Sequence, residues 1–227
     1  MFRRFLEILK LKSLARQLRK PGGSFGDKVG HMMNRANKPL YDFTLDVMKP
    51  GYYEAILEIG FGNGKFFEEL LNTAEGLEVS GIDYSGTMVS SAIKNNDELV
   101  RSGKLKLVQG SSANMPFANN SFDKAFCINV AYFWDEPVLH LREIFRVLKP
   151  GGLLFVTVRS QESLQRMPFT KYGFHKYSDE IWQQLATNAG FEWVGIEKLV
   201  EPASEFQPDP RPFDSVCYVS RRPADQS

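Results

Sequence analysis

Cysteine is scarce: Cys127 and Cys217 are the only two among 227 residues, and each lies inside an apolar run. Two cysteines exclude a disulfide framework and a cysteine metal cluster, so a reduced, cytoplasmic setting without a metal is expected. Long hydrophobic runs are missing as well. No stretch approaches the roughly 18 to 20 continuous apolar residues that a membrane-spanning helix requires. The apolar residues of 2–18 are interrupted by charge and no small-residue cleavage site follows, which excludes a secretory leader pattern. Internal repeats and low-complexity tracts are absent. Net charge is almost absent too, at +1, but it is a divided sum. Residues 1–20 hold seven basic side chains (Arg3, Arg4, Lys10, Lys12, Arg16, Arg19, Lys20) against the single acid Glu7, so the rest of the chain is mildly acidic.

What is present is a globular composition, 43% hydrophobic with 18 phenylalanines, long enough to bury one substantial core. Residues 2–18 lack Gly and Pro and read as an amphipathic helix ended by Pro21-Gly22-Gly23. A mixed stretch, 24–48, leads to the turn Lys49-Pro50-Gly51. From there apolar strands alternate with helical spacing. Strands are expected at 55–60, 77–82, 105–108, 122–130, 153–158, 192–200 and 215–219. Helices are expected at 65–73, from a Ser85 cap to about Leu99, from an Asp135 cap to Pro150-Gly151-Gly152, and at 178–189. The stretch 201–212 reads as a long loop. Unbroken apolar strands alternating with helices imply an α/β, doubly wound, mostly parallel sheet covered on both faces. The division expected is an N-terminal helix and lid segment over 1–49 and a ligand-binding domain over 50–227.

The first strand runs into Glu58-Ile59-Gly60-Phe61-Gly62-Asn63-Gly64 before a helix. In doubly wound sheets, ligands sit at such a strand-to-helix turn, and glycines there let backbone approach closely. The dinucleotide fingerprint needs glycine at position 65, where this chain has Lys65, which disfavours a nicotinamide enzyme. Asp83 ends the second strand and supplies a carboxylate that can accept from both hydroxyls of a ribose. Loop and acid together point to a nucleoside ligand.

These residues carry a resemblance. Glu58-x-Gly60-x-Gly62-x-Gly64, Asp83-Tyr84-Ser85 with Met88, Met115-Pro116-Phe117, Ser121-Phe122-Asp123 and Arg146-Val147-Leu148-Lys149-Pro150-Gly151-Gly152 occur in one order over residues 50–200. The chain resembles the class I S-adenosylmethionine-dependent methyltransferases, most closely the small-molecule group of the ubiquinone/menaquinone C-methyltransferases. The resemblance implies a seven-stranded Rossmann-like sheet whose last strand is antiparallel. It also implies S-adenosyl-L-methionine as cofactor. Gly60, Gly62 and Gly64 would lie against its methionine part, with Glu58 supporting the loop. Asp83 would bind the ribose, Tyr84 would pack on the adenine, and Ser111 and Ser112 would meet the adenine edge. Asn129 would offer its carbonyl to the amino group. One departure is Ser111, which stands where many relatives have an acid, and an uncharged acceptor makes the weaker bond.

Methyl transfer from a sulfonium is an in-line displacement on an activated donor, so alignment and water exclusion suffice and no triad is required. A base is needed only for an acceptor that must lose a proton. Tyr41, in the segment resembling a lid, and His175 are the candidate catalytic residues. His31 and His140 are read as packed or solvated side chains. Tyr132, Phe133 and Trp134 follow the fourth strand and are the candidate acceptor pocket. Asn129-Val130-Ala131-Tyr132 lacks the paired prolines that position an amino nitrogen in nucleic-acid and glutamine methyltransferases. The expected partner is therefore a small, apolar or aromatic acceptor, methylated at oxygen, carbon or nitrogen, with no nucleic acid. The alternatives are a cofactor-binding partner subunit without transferase activity, or a lipid or quinone methyltransferase touching a membrane peripherally through residues 1–20.

Overall fold

The computed structural model describes residues 2–202 and 211–225. Two helices precede the sheet, α1 (Phe2–Arg19) and α2 (Gly23–Met48). Seven strands follow: β1 (Ala55–Ile59), β2 (Glu78–Asp83), β3 (Leu105–Gln109), β4 (Phe122–Ile128), β5 (Leu148–Arg159), β6 (Glu192–Val200) and β7 (Asp214–Arg221). Between them lie α3 (Phe67–Leu71), α4 (Gly86–Asn95), α5 (Asp97–Arg101), α6 (Pro137–Val147), α7 (Gln161–Gln165) and α8 (Asp179–Asn188). The strand order is β3-β2-β1-β4-β5-β7-β6. All neighbours are parallel except β7, which runs antiparallel to both β5 and β6. The expected doubly wound sheet with an antiparallel last strand is the fold observed.

The central strands are buried on both faces because both faces carry a core. Leu57, Ile59, Cys127, Leu154 and Val156 face one cluster with Leu141, Ile144 and Trp182. Ile56, Phe126, Phe155 and Cys217 face the other, with Tyr41, Leu45 and Phe67. The two cysteines thus lie on opposite faces, both free and buried.

Several local expectations are corrected. The stretch 24–48 is one continuous helix even though Pro39 lies inside it. Its apolar face packs on the sheet, and tertiary packing outweighs the backbone bond that a proline forfeits. The helix expected from Ser85 to Leu99 is two helices. Ser85 does cap α4 through Met88, but Asn96 ends it by donating its side-chain amide to the carbonyls of Gly64 and Ala92. Asp135 does not cap α6. Glu136 holds that position without a side-chain bond, and the Asp135 carboxylate pairs with Arg19 instead. The helix before β5 stops at Val147, so Pro150-Gly151-Gly152 belongs to the strand. Among the described side chains of α1, Leu6 and Leu9 are 41% and 46% exposed while Ala15 is buried, so they do not share one buried face. The loop expected at 201–212 falls mostly outside the described residues.

Candidate active site

The carboxyl ends of β1, β2, β3 and β4 surround a cavity of about 570 Å³. Gly60, Asp83, Tyr84, Ser111, Ser112 and Asn129 all line it, although they are spread over 70 residues of sequence. The fold brings them together because parallel strands all end at the same edge.

Of the loop glycines, Gly60 lines the cavity, Gly62 lines the recess behind it, and Gly64 lines neither, facing Ala92, Asn96 and Phe67 instead. Gly60, Gly62 and Gly64 all have positive φ, at 75°, 59° and 68°. A Cβ on Gly60 would stand 2.3 Å from the Val130 side chain, so the backbone approach there requires glycine. At Gly62 a Cβ would meet nothing within 4 Å, which leaves an open cradle above the loop. Asp83 ties that loop to β2, because its Oδ2 accepts from the Gly62 N–H at 2.8 Å and its Oδ1 from the Ser85 N–H at 2.8 Å. Burial raises the Asp83 carboxyl to about 6, against the lowering effect of those two N–H donors. Each oxygen keeps lone-pair capacity for a hydroxyl.

Behind the loop a recess of about 40 Å³ is lined by Glu58, Asn63 and Gly62 from the loop side and by Asn37 and Tyr41 from α2. Glu58 is buried, and burial pushes its carboxyl from 4.5 to about 8; the Tyr41 hydroxyl, 3.4 Å away, pulls it the other way. Asn63 Oδ1 is buried without a hydrogen-bond partner among the described residues. An orphaned acceptor beside an acid fits a ligand with a donor-rich, cationic end. Cavity, cradle and recess together fit a nucleoside with a short amino-acid tail.

Tyr41 lies in this recess, stacked near Phe66 with ring centroids 4.6 Å apart. Its burial beside Glu58 pushes the phenol well above its ordinary value, so the hydroxyl keeps its proton. His175 is not drawn into the cavity. Its side chain is 47% exposed and Nε2 stands 3.7 Å from Asp135 Oδ1, while its backbone N–H donates to the Tyr132 carbonyl at 2.9 Å.

Asn129 is the junction. Its φ of 57° is a left-handed conformation that asparagine tolerates, and it turns the chain out of β4 toward the cavity. Its Nδ2 donates to Asn37 Oδ1 at 2.9 Å, and its Oδ1 accepts from the Tyr132 hydroxyl. Of the aromatic triplet, Phe133 and Trp134 line the large cavity, whereas Tyr132 and Phe133 line a second recess of about 60 Å³ beside it.

Three lining residues escape sequence reasoning: His140, Leu18 and Arg19. His140, read as packed or solvated, lines the large cavity. Its Nδ1 lies 2.8 Å from Ser112 Oγ, and its ring is stacked on Trp134 at 4.9 Å. Burial holds this imidazole down to about 4, so it is neutral and offers both a donor and an acceptor. No local pattern marks it: Trp134 lies before α6 and six residues from His140, so the contact is made by the fold. Leu18 and Arg19 of α1 also line the cavity, from a segment with no motif at all.

Comparison with known proteins agrees with the geometry. Residues 57–156 match the family described as a methyltransferase domain. The uncharacterized methyltransferase YdaC of Bacillus subtilis is 27% identical over 198 residues, covering 86% of this chain and 98% of that protein. The ubiquinone/menaquinone biosynthesis C-methyltransferase UbiE of Cereibacter sphaeroides is 28% identical over 176 residues, covering 76% of this chain and 67% of that protein. In fold, the chain is similar to one in the complex between the Haloferax volcanii Trm112 methyltransferase activator and a methyltransferase. The TM-score is 0.74 at 21% identity, over 87% of this chain and 95% of that one. Residues 57–156 thus carry a methyltransferase domain, and the chain is similar to S-adenosylmethionine-dependent methyltransferases, which implies S-adenosylmethionine as the cofactor.

Proposed function

We propose that the protein methylates a small, apolar or aromatic acceptor, at oxygen, carbon or nitrogen, by in-line displacement. The observation that carries this reading is the shared wall between cavity and recess. Leu18, Asn129 and Phe133 line both the 570 Å³ cavity and the aromatic recess, so the cavity that would hold the cofactor adjoins a mostly apolar recess. The cofactor supplies an activated methyl group on a positively charged sulfur.

The remaining work falls to the chain's own residues. Asp83 would hold the ribose hydroxyls, Tyr84 would cover the adenine, and Ser111 with Ser112 would meet its edge. Gly60, Gly62 and Gly64 would carry the methionine part against Glu58, and the Asn129 carbonyl would receive the amino group. In this scheme Tyr41 acts on the cofactor's tail rather than as a base, since its hydroxyl stays protonated. His175 would act only through Asp135. Tyr132, Phe133 and Trp134 would wall the acceptor and exclude water, which leaves alignment as the main source of rate.

The basic head has a second use in this scheme. Lys10, Lys12 and Arg16 stay exposed on α1 while Ala15 packs inward, so an anionic bilayer could meet residues 1–20 peripherally. No helix of the described residues is long and apolar enough to cross a membrane.

Incubation with methyl-labelled cofactor and a cell extract tests the acceptor class. Label in an organic-soluble, low-mass fraction is expected. Label in protein or nucleic acid would overturn it. Co-sedimentation with anionic vesicles, for the full chain against one lacking residues 1–20, tests the membrane contact.

A further inference from the structure

The recess beside Asn129 contains a residue that no motif of the family singles out. Its walls are apolar: Phe133, Phe169 and Phe174, closed by Leu164 and Met167. Phe174 is the centre, edge-on to Phe133 at 4.7 Å and to Phe169 at 5.7 Å. Such a wall suits a flat ring. Into it also comes Arg159, the last residue of β5.

A buried guanidinium in an aromatic recess needs a reason. Its side chain is only 12% exposed and its charge is met in full by Glu201, itself 4% exposed. Nε donates to Glu201 Oε1 and Nη2 to Glu201 Oε2, both at 2.9 Å. Nη2 also donates to the Ala36 carbonyl of α2 at 3.0 Å. The guanidinium carbon stands 5.4 Å from the centre of the Phe213 ring. These contacts use one edge of the fork and one face of the plane. Among the described residues, Nη1 has no hydrogen-bond partner.

We propose that Arg159 is the polar end of the acceptor subsite. The acceptor it selects is an uncharged aromatic molecule that presents an oxygen lone pair to Nη1. This inference rests on the methyltransferase reading and narrows its acceptor. A neutral oxygen suits the site because Arg159 and Glu201 already cancel. An anionic acceptor would leave one net negative charge in an apolar recess, and desolvating it is costly. A cationic acceptor would find no free acid among the described residues lining the recess, where Arg159 alone is charged. A hydrocarbon would leave a charged donor unpaired, which is the more expensive error. Asn129 lies on the same wall and on the cofactor cavity, so a ring held by Arg159 spans toward the methyl donor.

The test uses the full chain loaded with S-adenosylhomocysteine and three single-ring probes of similar shape: p-cresol, p-xylene and p-toluate. Ligand-observed NMR reads their dissociation constants. In the natural protein p-cresol is expected to bind about tenfold tighter than either of the others. Glu201→Gln keeps the shape of the pair but frees the positive charge, so p-toluate should then gain about tenfold relative to p-cresol. Arg159→Met should erase the preference of p-cresol over p-xylene, with folding checked by circular dichroism. If that variant does not fold, the Glu201→Gln result alone decides. Equal affinities for all three probes, a preference for p-toluate in the natural protein, or no probe bound at all would each overturn the proposal. Failure of S-adenosylhomocysteine itself to bind would instead overturn the cofactor reading, which calorimetry registers before any probe is added.

Discussion

The backbone N–H of Gly62 donates to Asp83 Oδ2 across 2.8 Å, so the glycine loop and the acid at the end of β2 form one unit. Removing Asp83 therefore takes away two things together: the carboxylate that would hold the ribose and the anchor of the loop beneath it. Asp83→Ala is expected to weaken S-adenosylmethionine binding by about tenfold or more in calorimetry. Asp83→Asn, which keeps one acceptor oxygen, should fall between. Undiminished affinity in Asp83→Ala would remove Asp83 from the site.

The glycines of the loop separate stability from binding. A Cβ at Gly60 meets Val130 at 2.3 Å, and φ is 75°, so Gly60→Ala combines steric and backbone strain. It should cost about 2 kcal/mol in denaturant unfolding. Gly62 has the same backbone hand but open space, so Gly62→Ala should cost about half as much. Its methyl group instead enters the cradle, and the loss there should show mainly in cofactor affinity. Equal effects of the two substitutions on both measurements would contradict this division.

Much of this site was legible because it depends on short-range chemistry. The glycine loop and Asp83 lie at strand ends, which follow from apolar runs and the breakers after them, whereas Ser111, Ser112 and Asn129 are pointed to only by the family resemblance. The illegible part came from long-range packing. Asn96 looks like an ordinary helix residue until its amide is found on the Gly64 carbonyl, which breaks the helix there. Asp135 reads as a helix cap until Arg19, 116 residues earlier, takes its carboxylate. Arg159 closes a strand and carries no local signal, since its partners Ala36 and Glu201 are both distant in sequence. His140 was set aside because one histidine on a helix usually packs. It does pack, on Trp134, but along the cavity wall.

Glu58 gives the fold a pH dependence of definite sign. Burial raises its carboxyl from 4.5 in the open chain to about 8 in the fold. Between those values the folded state binds the extra proton, so stability falls as pH rises through the window. The stabilisation is fully present below about 4.5 and lost as pH passes 8, on the order of 5 kcal/mol over the span. Asp83 adds in the same direction over a narrower range, from 3.8 to about 6. Glu58→Gln should flatten the upper part of the curve. Denaturant midpoints measured from pH 5 to 9 for both proteins check it, and parallel curves would show that Glu58 does not titrate there.

Arg19 and Asp135 form an ion pair, and both residues line the large cavity. Two neighbouring contacts accompany the pair. Lys20 stands 4.1 Å over the Tyr84 ring, and the Pro21 carbonyl accepts from Ser85 Oγ at 2.5 Å. The ion-paired side chains are 42% and 69% exposed, so solvent and salt screen the pair and it should add little to stability. Because Leu18 and Arg19 at the end of α1 line the cavity that would hold the nucleoside, the pair is expected to act on ligand release instead. Arg19→Ala and Asp135→Asn should each leave the melting temperature nearly unchanged and speed S-adenosylhomocysteine release several-fold. Trp134, buried in the cavity wall, supplies the fluorescence signal for stopped-flow measurement. High salt should accelerate release from the natural protein by a similar factor and leave both variants unaffected, whereas release rates insensitive to salt and to both substitutions would show that α1 does not gate the cavity.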